Sequence, residues 1–126
     1  MIRFLIVDDN DAVRTQVTAL VNGIRDCEVC GEASNGQKAF EQVAKLNPDV
    51  VLLDVSMPGI GGIMTAKMIR QIALNITIIM LSVHDPVQIA KEATSKEVRI
   101  DAYLNKAAVT QDLEPILVSL RLLSKQ

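Results

Sequence analysis

Two apolar stretches of this sequence run directly into aspartates. Phe4–Val7 is followed by Asp8 and Asp9, and Val50–Leu53 is followed by Asp54. An unpaired carboxylate at the end of a buried strand is costly. If the two strands are neighbours, the three carboxylates raise each other's pKa unless a cation lies among them. Mg²⁺, or Mn²⁺ in its place, prefers such oxygen ligands. We therefore predict a metal site suited to phosphate chemistry.

The hydrophobic pattern shows which elements must position these carboxylates. Apolar runs predict strands over 2–8, 28–33, 50–54, 77–82 and 101–104, and segments of helical period lie between them. Strict alternation of strand and helix predicts an α/β fold with a mostly parallel sheet covered on both faces. The strands 4–7, 50–53 and 78–81 are apolar throughout, which is typical of central positions buried on both sides.

The helical segments are predicted from periodicity and capping residues. Asn35-Gly36 predicts a helix start, Asn47-Pro48 a helix end, and Asp85-Pro86 the start of a helix over 86–97. For the last helix we expect Asp112 as the cap, with Pro115 in the first turn. The side chains expected to face the core are Val13, Val17, Leu20, Val21, Ile24, Ala39, Phe40, Val43, Ala44, Met64, Met68, Ile69, Ile72, Leu113, Ile116, Leu117, Leu120 and Leu123.

Right-handed crossovers place the carboxyl ends of all parallel strands at one edge of the sheet. That edge should carry Asp8, Asp9, Asp54, Ser82 and Lys106. An aspartate can attack a phosphoryl group and form an acyl phosphate, while a lysine and a hydroxyl can hold the phosphoryl oxygens. Taken singly, a serine at a strand end or a lone lysine is more often a solvated polar residue. The prediction rests on the five occurring together.

These residues, with Tyr103, occur in an order that resembles the receiver domain of bacterial two-component response regulators. The resemblance covers the whole chain, including Asp54 in the stretch Val-Leu-Leu-Asp-Val-Ser-Met-Pro-Gly. It implies one domain over residues 1–126 with a (βα)5 flavodoxin-like, three-layer fold. The implied sheet is parallel and five-stranded, with strand order 2-1-3-4-5, the order that such folds share.

The resemblance also implies a role for each residue. Asp54 would receive a phosphoryl group from a histidine kinase or phosphotransfer protein. Asp9, Asp54 and the backbone carbonyl of Ser56 would bind Mg²⁺, with Asp8 helping directly or through water. The domain would thus be a phosphoacceptor rather than a conventional enzyme, with self-catalysed phosphoryl transfer and slow autodephosphorylation.

The remaining implied residues form a switch. Lys106 and Ser82 would contact the phosphoryl oxygens, which would draw Ser82 inward and let the ring of Tyr103 turn inward behind it. This would shift the output face, formed by helix 86–97, strand 101–104 and the last helix. The new dianion would act by shifting a population between two states.

Three positions depart from the family pattern. Val83 stands where receivers usually have a very small residue, so it would narrow access to the phosphoryl site. His84 occupies a position that often tunes loss of phosphate; it either acts on the attacking water or is simply exposed. Ala107 follows Lys106 where the family usually has a proline after a cis bond. The loop is therefore either trans and remodelled or strained, since a non-proline cis bond costs about 3–4 kcal/mol.

Composition excludes several other classes. The chain has 126 residues, 49% of them hydrophobic, and a formal charge of −2. Its basic residues are scattered, which argues against nucleic-acid binding by this domain, and no apolar run is long enough to span a membrane. We expect a cytoplasmic protein with no membrane contact. Cys27 and Cys30 are expected to be small core residues of a strand rather than a redox or zinc pair.

The sequence is consistent with two hypotheses for the output of this domain. The stretch 31–36 and Met57-Pro-Gly59 resemble receivers joined to a helix-turn-helix domain of the LuxR type. The chain is then either the receiver of a longer transcription regulator or a stand-alone receiver that acts by protein contact; we favour the first. Val118 and Leu122 widen the apolar face of the last helix. They predict that this surface is covered, by a second copy in a homodimer or by another domain.

Other functional classes fit less well. A phosphatase of the haloacid-dehalogenase type would need a second acid two residues after its nucleophile, where this chain has Ser56. A flavin carrier would need a hydroxyl- and glycine-rich phosphate loop, but the acidic loop Asp8–Asp11 repels phosphate in the absence of metal. A dinucleotide-binding fold would need a G-x-G-x-x-G motif, which this sequence lacks.

Overall fold

The computed structural model describes residues 1–83 and 98–124. Its sheet has five strands in the order β2-β1-β3-β4-β5, and all of its neighbouring strands are parallel. The strands are β1 (Ile2–Val7), β2 (Cys27–Ala33), β3 (Val50–Asp54), β4 (Thr77–Ser82) and β5 (Ala102–Asn105). The predicted flavodoxin-like fold and strand order are confirmed.

The three inner strands are buried as their sequences predicted. Every residue of Phe4–Val7, Val50–Leu53 and Ile78–Leu81 is fully buried, because a parallel sheet is covered on both faces. Alternate side chains supply two separate cores. One core packs Leu5, Leu53 and Met80 against α2 and α3, and the other packs Phe4, Leu52 and Leu81 against α1 and the C-terminal helix.

The helices are α1 (Asp11–Asn22), α2 (Gly36–Leu46), α3 (Gly61–Ile72) and a C-terminal helix (Val109–Ser119), which follows a 3₁₀ turn (Lys106–Ala108). Asn35 caps α2 by accepting from the Lys38 amide, and Asn47 ends the same helix in the left-handed conformation. Both predicted boundaries of α2 are therefore confirmed. A helix over 86–97 and its cap at Asp85-Pro86 fall outside the described residues.

The predicted inward faces of two helices need correction. Met64 and Ile72 of α3 are 46% and 47% exposed, and Ala44 of α2 is exposed. The buried side of α3 instead carries Gly62, Thr65, Ala66 and Ile69. These side chains are mostly small because α3 packs closely against α2: an added Cβ at Gly36 would lie 2.1 Å from Thr65 Oγ1. Met64 and Ile72 lie on the opposite, exposed side of the helix.

The predicted start of the last helix is wrong. The helix begins at Val109 rather than after Asp112, so Pro115 lies inside it and not in its first turn. Proline lacks the amide that would bond the carbonyl of Gln111. Gln111 is exposed, and water can reach this side of the helix. Burial of Leu113 and Leu117 against the sheet outweighs the local cost of the proline.

Two further expectations concern the rest of the described chain. Cys27 is buried in the core beneath α1, as expected, whereas Cys30 is only half-buried. Among the described helices, none is both long enough and apolar enough to cross a lipid bilayer.

Candidate functional site

Three aspartates meet at the carboxyl edge of the sheet, where β1 and β3 end. Asp8 is fully buried, Asp54 is 2% exposed, and Asp9 is exposed. One carboxylate oxygen from each lies within 4.8 Å of the others. The parallel register of β1 with β3, which pairs Val7 with Leu53, brings the following aspartates together. The predicted cluster is thus present.

Backbone amides hold the two buried carboxylates. The amide of Asn10 donates to Asp8 Oδ1 at 2.9 Å, and the amide of Ser56 donates to Asp54 Oδ1 at 3.1 Å. The amide of Asp8 itself donates to the carbonyl of Ala33 in β2 at 3.1 Å. Each buried aspartate therefore has one oxygen fixed by its own loop and a second oxygen that faces the site.

The segment after Asp54 is brought close to the sheet by a glycine. The amide of Gly62, in the first turn of α3, donates to the carbonyl of Val55 at 3.0 Å. A Cβ at this position would lie 2.2 Å from the carbonyl oxygen of Asp54 and 2.7 Å from Val55 Cα. Because these are backbone atoms, they cannot move aside as a flexible side chain can. Gly62 is therefore required for this close approach.

Lys106 provides the positive charge at this edge. Its Nζ lies 2.7 Å from Asp8 Oδ2 and 3.2 Å from Asp54 Oδ2, and its side chain is 20% exposed. The 3₁₀ turn that begins at Lys106 is capped by Asn105, whose side chain accepts from the Ala107 amide at 2.8 Å. The described residues contain no cis peptide bond. Of the two alternatives for the Lys106–Ala107 bond, the trans, remodelled loop is the one present.

Burial and repulsion govern the protonation of the site. Burial, and then the neighbouring charge of Asp8, raise the pKa of Asp54 from 3.8 to about 6, although Lys106 opposes this shift. For Lys106, burial acts to lower the pKa, but the carboxylates of Asp8 and Asp54 outweigh burial and raise it. The metal-free site therefore holds more negative charge than one lysine can balance.

The donor set fits a hard divalent cation. Three carboxylate oxygens converge, and hard oxygen donors of this kind bind Mg²⁺ or Mn²⁺. Asp8 Oδ2 is buried, and its one partner among the described residues is the Lys106 ammonium at 2.7 Å. A second cation would complete its interactions. The residues present are thus suited to the metal that the sequence predicted.

The remaining predicted residues take the following positions. Ser82 is 4% exposed at the end of β4, beside Asn105 in the register of the sheet. Tyr103, in β5, is half-buried against the core that contains Met80, and this burial raises the pKa of its phenol. Val83 is 66% exposed directly after Ser82. His84 lies outside the described residues, so its predicted tuning role stays a prediction.

Sequence reasoning missed two residues that organise the loop between β1 and α1. Asn10 caps α1 by accepting from the Val13 amide, and its position just before a helical period was a usable signal. Arg14 donates to the carbonyl oxygen of Asp8 at 2.7 Å. Nothing in the sequence distinguishes Arg14 from a solvated residue of an amphipathic helix, because its partner is a backbone atom.

The chain is similar to known proteins in family, sequence and structure. The family described as "Response regulator receiver domain" matches residues 4–117. Response regulator GacA of Pseudomonas viridiflava is 48% identical over 71 residues, which are 56% of this chain and 33% of that protein. The nitrate/nitrite response regulator protein NarL of Escherichia coli (strain K12) is 36% identical over 109 residues, 86% of this chain and 50% of that protein.

A solved structure gives the same assignment. The two-component response regulator of the LuxR family from Aurantimonas sp. SI85-9A1 superimposes with a TM-score of 0.81 at 28% identity, covering 93% of this chain and 85% of that one. The aligned region spans a third of GacA and half of NarL. The similarity to these two regulators therefore concerns a part of each protein.

Proposed function

The chain belongs to the response regulator receiver domain family, and on that premise we propose that Asp54 accepts a phosphoryl group in a Mg²⁺-dependent reaction. The domain thus takes part in two-component signalling, and the proposed donor is a histidine kinase or phosphotransfer protein. One observation carries the proposal: Asp54 is buried among Asp8, Asp9 and Lys106, with its Oδ2 3.2 Å from the lysine. A structural ion pair would not require two further carboxylates at this point.

The proposed reaction transfers a phosphoryl group from a histidine nitrogen to a carboxylate oxygen. An oxygen of the Asp54 carboxylate attacks phosphorus, an O–P bond forms, and the N–P bond to the donor histidine breaks. The imidazole leaves with the electron pair of that bond and takes up a proton. Lys106 is placed to hold one phosphoryl oxygen by a charge-assisted hydrogen bond, and Ser82, at the end of β4, is proposed to hold another.

The metal ion's contribution is charge neutralisation. When bound, Mg²⁺ would screen the three carboxylates from one another and neutralise oxygens of the incoming phosphoryl group. Asp8, Asp9, Asp54 and the backbone carbonyl of Ser56 are the proposed ligands, Asp8 directly or through water. The raised pKa of Asp54 in the metal-free site, caused first by burial and then by the charge of Asp8, supports this assignment, because a bound cation would stabilise the ionised carboxylate.

Phosphorylation is proposed to change the surface formed around β5. Ser82 ends β4, and Lys106 directly follows the adjacent strand β5, so a phosphoryl group that contacts both would couple these strands to Asp54. Tyr103 follows by turning inward behind Ser82. The half-buried position of this ring supports a side chain that can occupy two environments.

The proposed output is transcription through a DNA-binding domain of the LuxR type in the full regulator. The similarity to NarL and to the LuxR-family regulator supports this output. The alternative is a stand-alone receiver that acts by protein contact. Analysing DNA binding by the gene's complete product, with and without phosphorylation, separates the two: phosphorylation-dependent binding supports the first and no DNA binding supports the second.

Phosphotransfer from a protein donor tests the proposed reaction. A phosphohistidine protein labelled on phosphorus is mixed with this chain and with Asp54→Asn in the presence of Mg²⁺. The proposal expects label on the wild type alone and its release by hydroxylamine, which cleaves acyl phosphates. Label that persists in hydroxylamine, or that appears equally on Asp54→Asn, would place the phosphoryl group on another residue.

A further inference from the structure

Among the described residues of α1, Arg14 is the one whose side chain donates a hydrogen bond to the loop that carries the first two carboxylates. Its side chain is 16% exposed. Nη1 donates to the carbonyl oxygen of Asp8 at 2.7 Å, Nε donates to Glu32 Oε1 at 3.2 Å, and Nη2 donates to Asp11 Oδ1. One guanidinium thus joins the end of β2, the loop and the start of α1.

The carbonyl group that accepts from Arg14 lies between two proposed metal ligands, Asp8 and Asp9. The carbonyl of Asp8 belongs to the peptide unit that joins Asp8 to Asp9. The preceding peptide, between Val7 and Asp8, is already fixed, because the Asp8 amide donates to the carbonyl of Ala33. The bond from Arg14 therefore sets the orientation of the Asp8–Asp9 peptide, and with it the direction in which the Asp9 side chain leaves the backbone.

Asp9 has little else to hold it. It is exposed, and no group in the described part of the chain donates a hydrogen bond to its carboxylate. Asp8 and Asp54, in contrast, each accept a bond from a loop amide and pair with Lys106. The position of Asp9 depends on its backbone, and its backbone is bonded by Arg14.

The guanidinium acts by geometry more than by charge. Glu32 and Asp11 both contact Arg14 and offset its positive charge. The planar group presents donors in a fixed fork, which serves three acceptors in different directions at once. A lysine has the same charge but a single amine, and cannot hold the three partners in this arrangement.

We propose that Arg14 is a positioning residue for the metal site, which presents Asp9 to the cation by fixing the Asp8–Asp9 peptide. Glu32 is the support that keeps Arg14 in place from the end of β2. This inference rests on the proposed function, since it concerns the same site. It assigns to α1 and β2 a role in metal affinity that the carboxylates themselves do not reveal.

Mg²⁺ titration of the unphosphorylated protein tests this role without any dependence on phosphoryl transfer. Removal of a residue that orients a metal ligand lowers affinity about ten-fold, so this loss is expected for Arg14→Ala. Arg14→Lys should recover only part of the affinity. Arg25→Ala is the matched control, because Arg25 is exposed and pairs with Asp26 at the opposite edge of the sheet. Its affinity should equal that of the wild type.

A second readout separates positioning from a general loss of folded protein. With acetyl phosphate as the donor, Arg14→Ala should need more Mg²⁺ for half-maximal phosphorylation yet approach the wild-type rate at saturation. A rate lowered equally at every Mg²⁺ concentration, or a wild-type affinity in Arg14→Ala, would overturn the inference. If Arg14→Ala does not fold, Glu32→Ala is measured in its place. A weaker affinity for Mg²⁺ in Glu32→Ala supports the positioning role of Arg14, and an unchanged affinity overturns it.

The outcomes also distinguish this inference from the proposed function. A wild type that binds no Mg²⁺ overturns both. A wild type that binds Mg²⁺ and is phosphorylated on Asp54, beside an Arg14→Ala variant with equal affinity, overturns the positioning role and leaves the proposed function intact.

Discussion

The chemistry of this protein centres on a carboxylate held where it is costly to ionise. Asp54 is 2% exposed and faces Asp8, and one lysine lies between them. The pKa of Asp54 rises to about 6 because burial and the charge of Asp8 together outweigh Lys106. The same arrangement that destabilises the metal-free protein would be relieved by a bound cation, as the proposed function requires.

The first prediction concerns stability and pH in metal-free protein. Asp54 has a raised pKa in the folded state, so between pH 3.8 and about 6 the folded chain binds more protons than the unfolded chain. The free energy of unfolding should therefore fall as pH rises through this window, and the cost should be fully present above it. Asp54→Asn removes this cost and should stabilise the protein at pH 7.5 by roughly 2–3 kcal/mol.

Urea unfolding in EDTA measures this effect at pH 4 and pH 7.5. The stabilisation by Asp54→Asn should be much smaller at pH 4, where the wild-type carboxyl is largely protonated in the folded state and only partly ionised in the unfolded state. Asp26→Asn is the matched control, since Asp26 is exposed and distant from the site. A wild type more stable than Asp54→Asn at pH 7.5 would show that Lys106 outweighs burial and repulsion.

The second prediction is that Val83 slows phosphorylation by narrowing the access of small donors to the site. Its side chain is 66% exposed next to the buried Ser82, at the position where it would narrow the path of a donor. Val83→Ala should be phosphorylated severalfold faster by acetyl phosphate, while its stability stays within about 0.5 kcal/mol of the wild type. Single-turnover rates measure this effect, and equal rates would mean that Val83 is not a gate.

Among the elements, the connection from β3 to α3 is the most constrained. Gly62 allows the first turn of α3 to contact the backbone of Asp54 and Val55. Gly62→Ala should destabilise the protein by about 2–3 kcal/mol, because overpacking against backbone outweighs the higher helix propensity of alanine. Phosphorylation of Asp54 should slow in the same variant, since the carboxylate shifts with its backbone.

Gly23→Ala is the control for this glycine. Gly23 follows α1 with φ −85°, and an added Cβ would lie 3.4 Å from its closest neighbour, an ordinary contact distance. Its stability should stay within about 0.5 kcal/mol of the wild type. Equal effects of the two substitutions in urea unfolding would mean that the α3 contact is not tight.

Most of the architecture could be predicted from the sequence because strands and helices here carry strong local signals. The apolar runs that form β1, β3 and β4 are continuous, and Asn35 and Asn47 mark both ends of α2. The order of the strands came from the family resemblance. Local signals failed where packing decides: α3 buries small residues and exposes Met64, and the C-terminal helix includes Pro115.

The candidate site was predictable in part for a related reason. Aspartates at the ends of buried strands are conspicuous in a sequence, and parallel strands must bring their ends together. The contribution of Arg14 was not predictable, because it acts on the carbonyl oxygen of Asp8 and every residue has such an oxygen. A side chain that bonds a backbone atom cannot be recognised from the residue type of its partner.

At the scale of the whole molecule, one sheet edge connects the proposed chemistry to a surface. Asp8 directly follows β1, Asp54 and Ser82 end β3 and β4, and Lys106 directly follows β5; these four strands are consecutive in the sheet. With the proposed contacts to Ser82 and Lys106, a phosphoryl group at Asp54 would link β3, β4 and β5, and β5 carries Tyr103. Such an arrangement lets a local change in charge bias the position of an entire edge of the sheet.

The mass of the intact protein after exposure to acetyl phosphate tests the central claim most directly. Wild type, Asp54→Asn and the control Asp26→Asn are each treated with Mg²⁺ or with EDTA. We expect a gain of about 80 Da, one phosphoryl group, in the wild type and in Asp26→Asn with Mg²⁺ but not with EDTA, and no gain in Asp54→Asn. An equal gain in Asp54→Asn, or a gain that survives EDTA, would contradict a metal-dependent phosphoacceptor at Asp54.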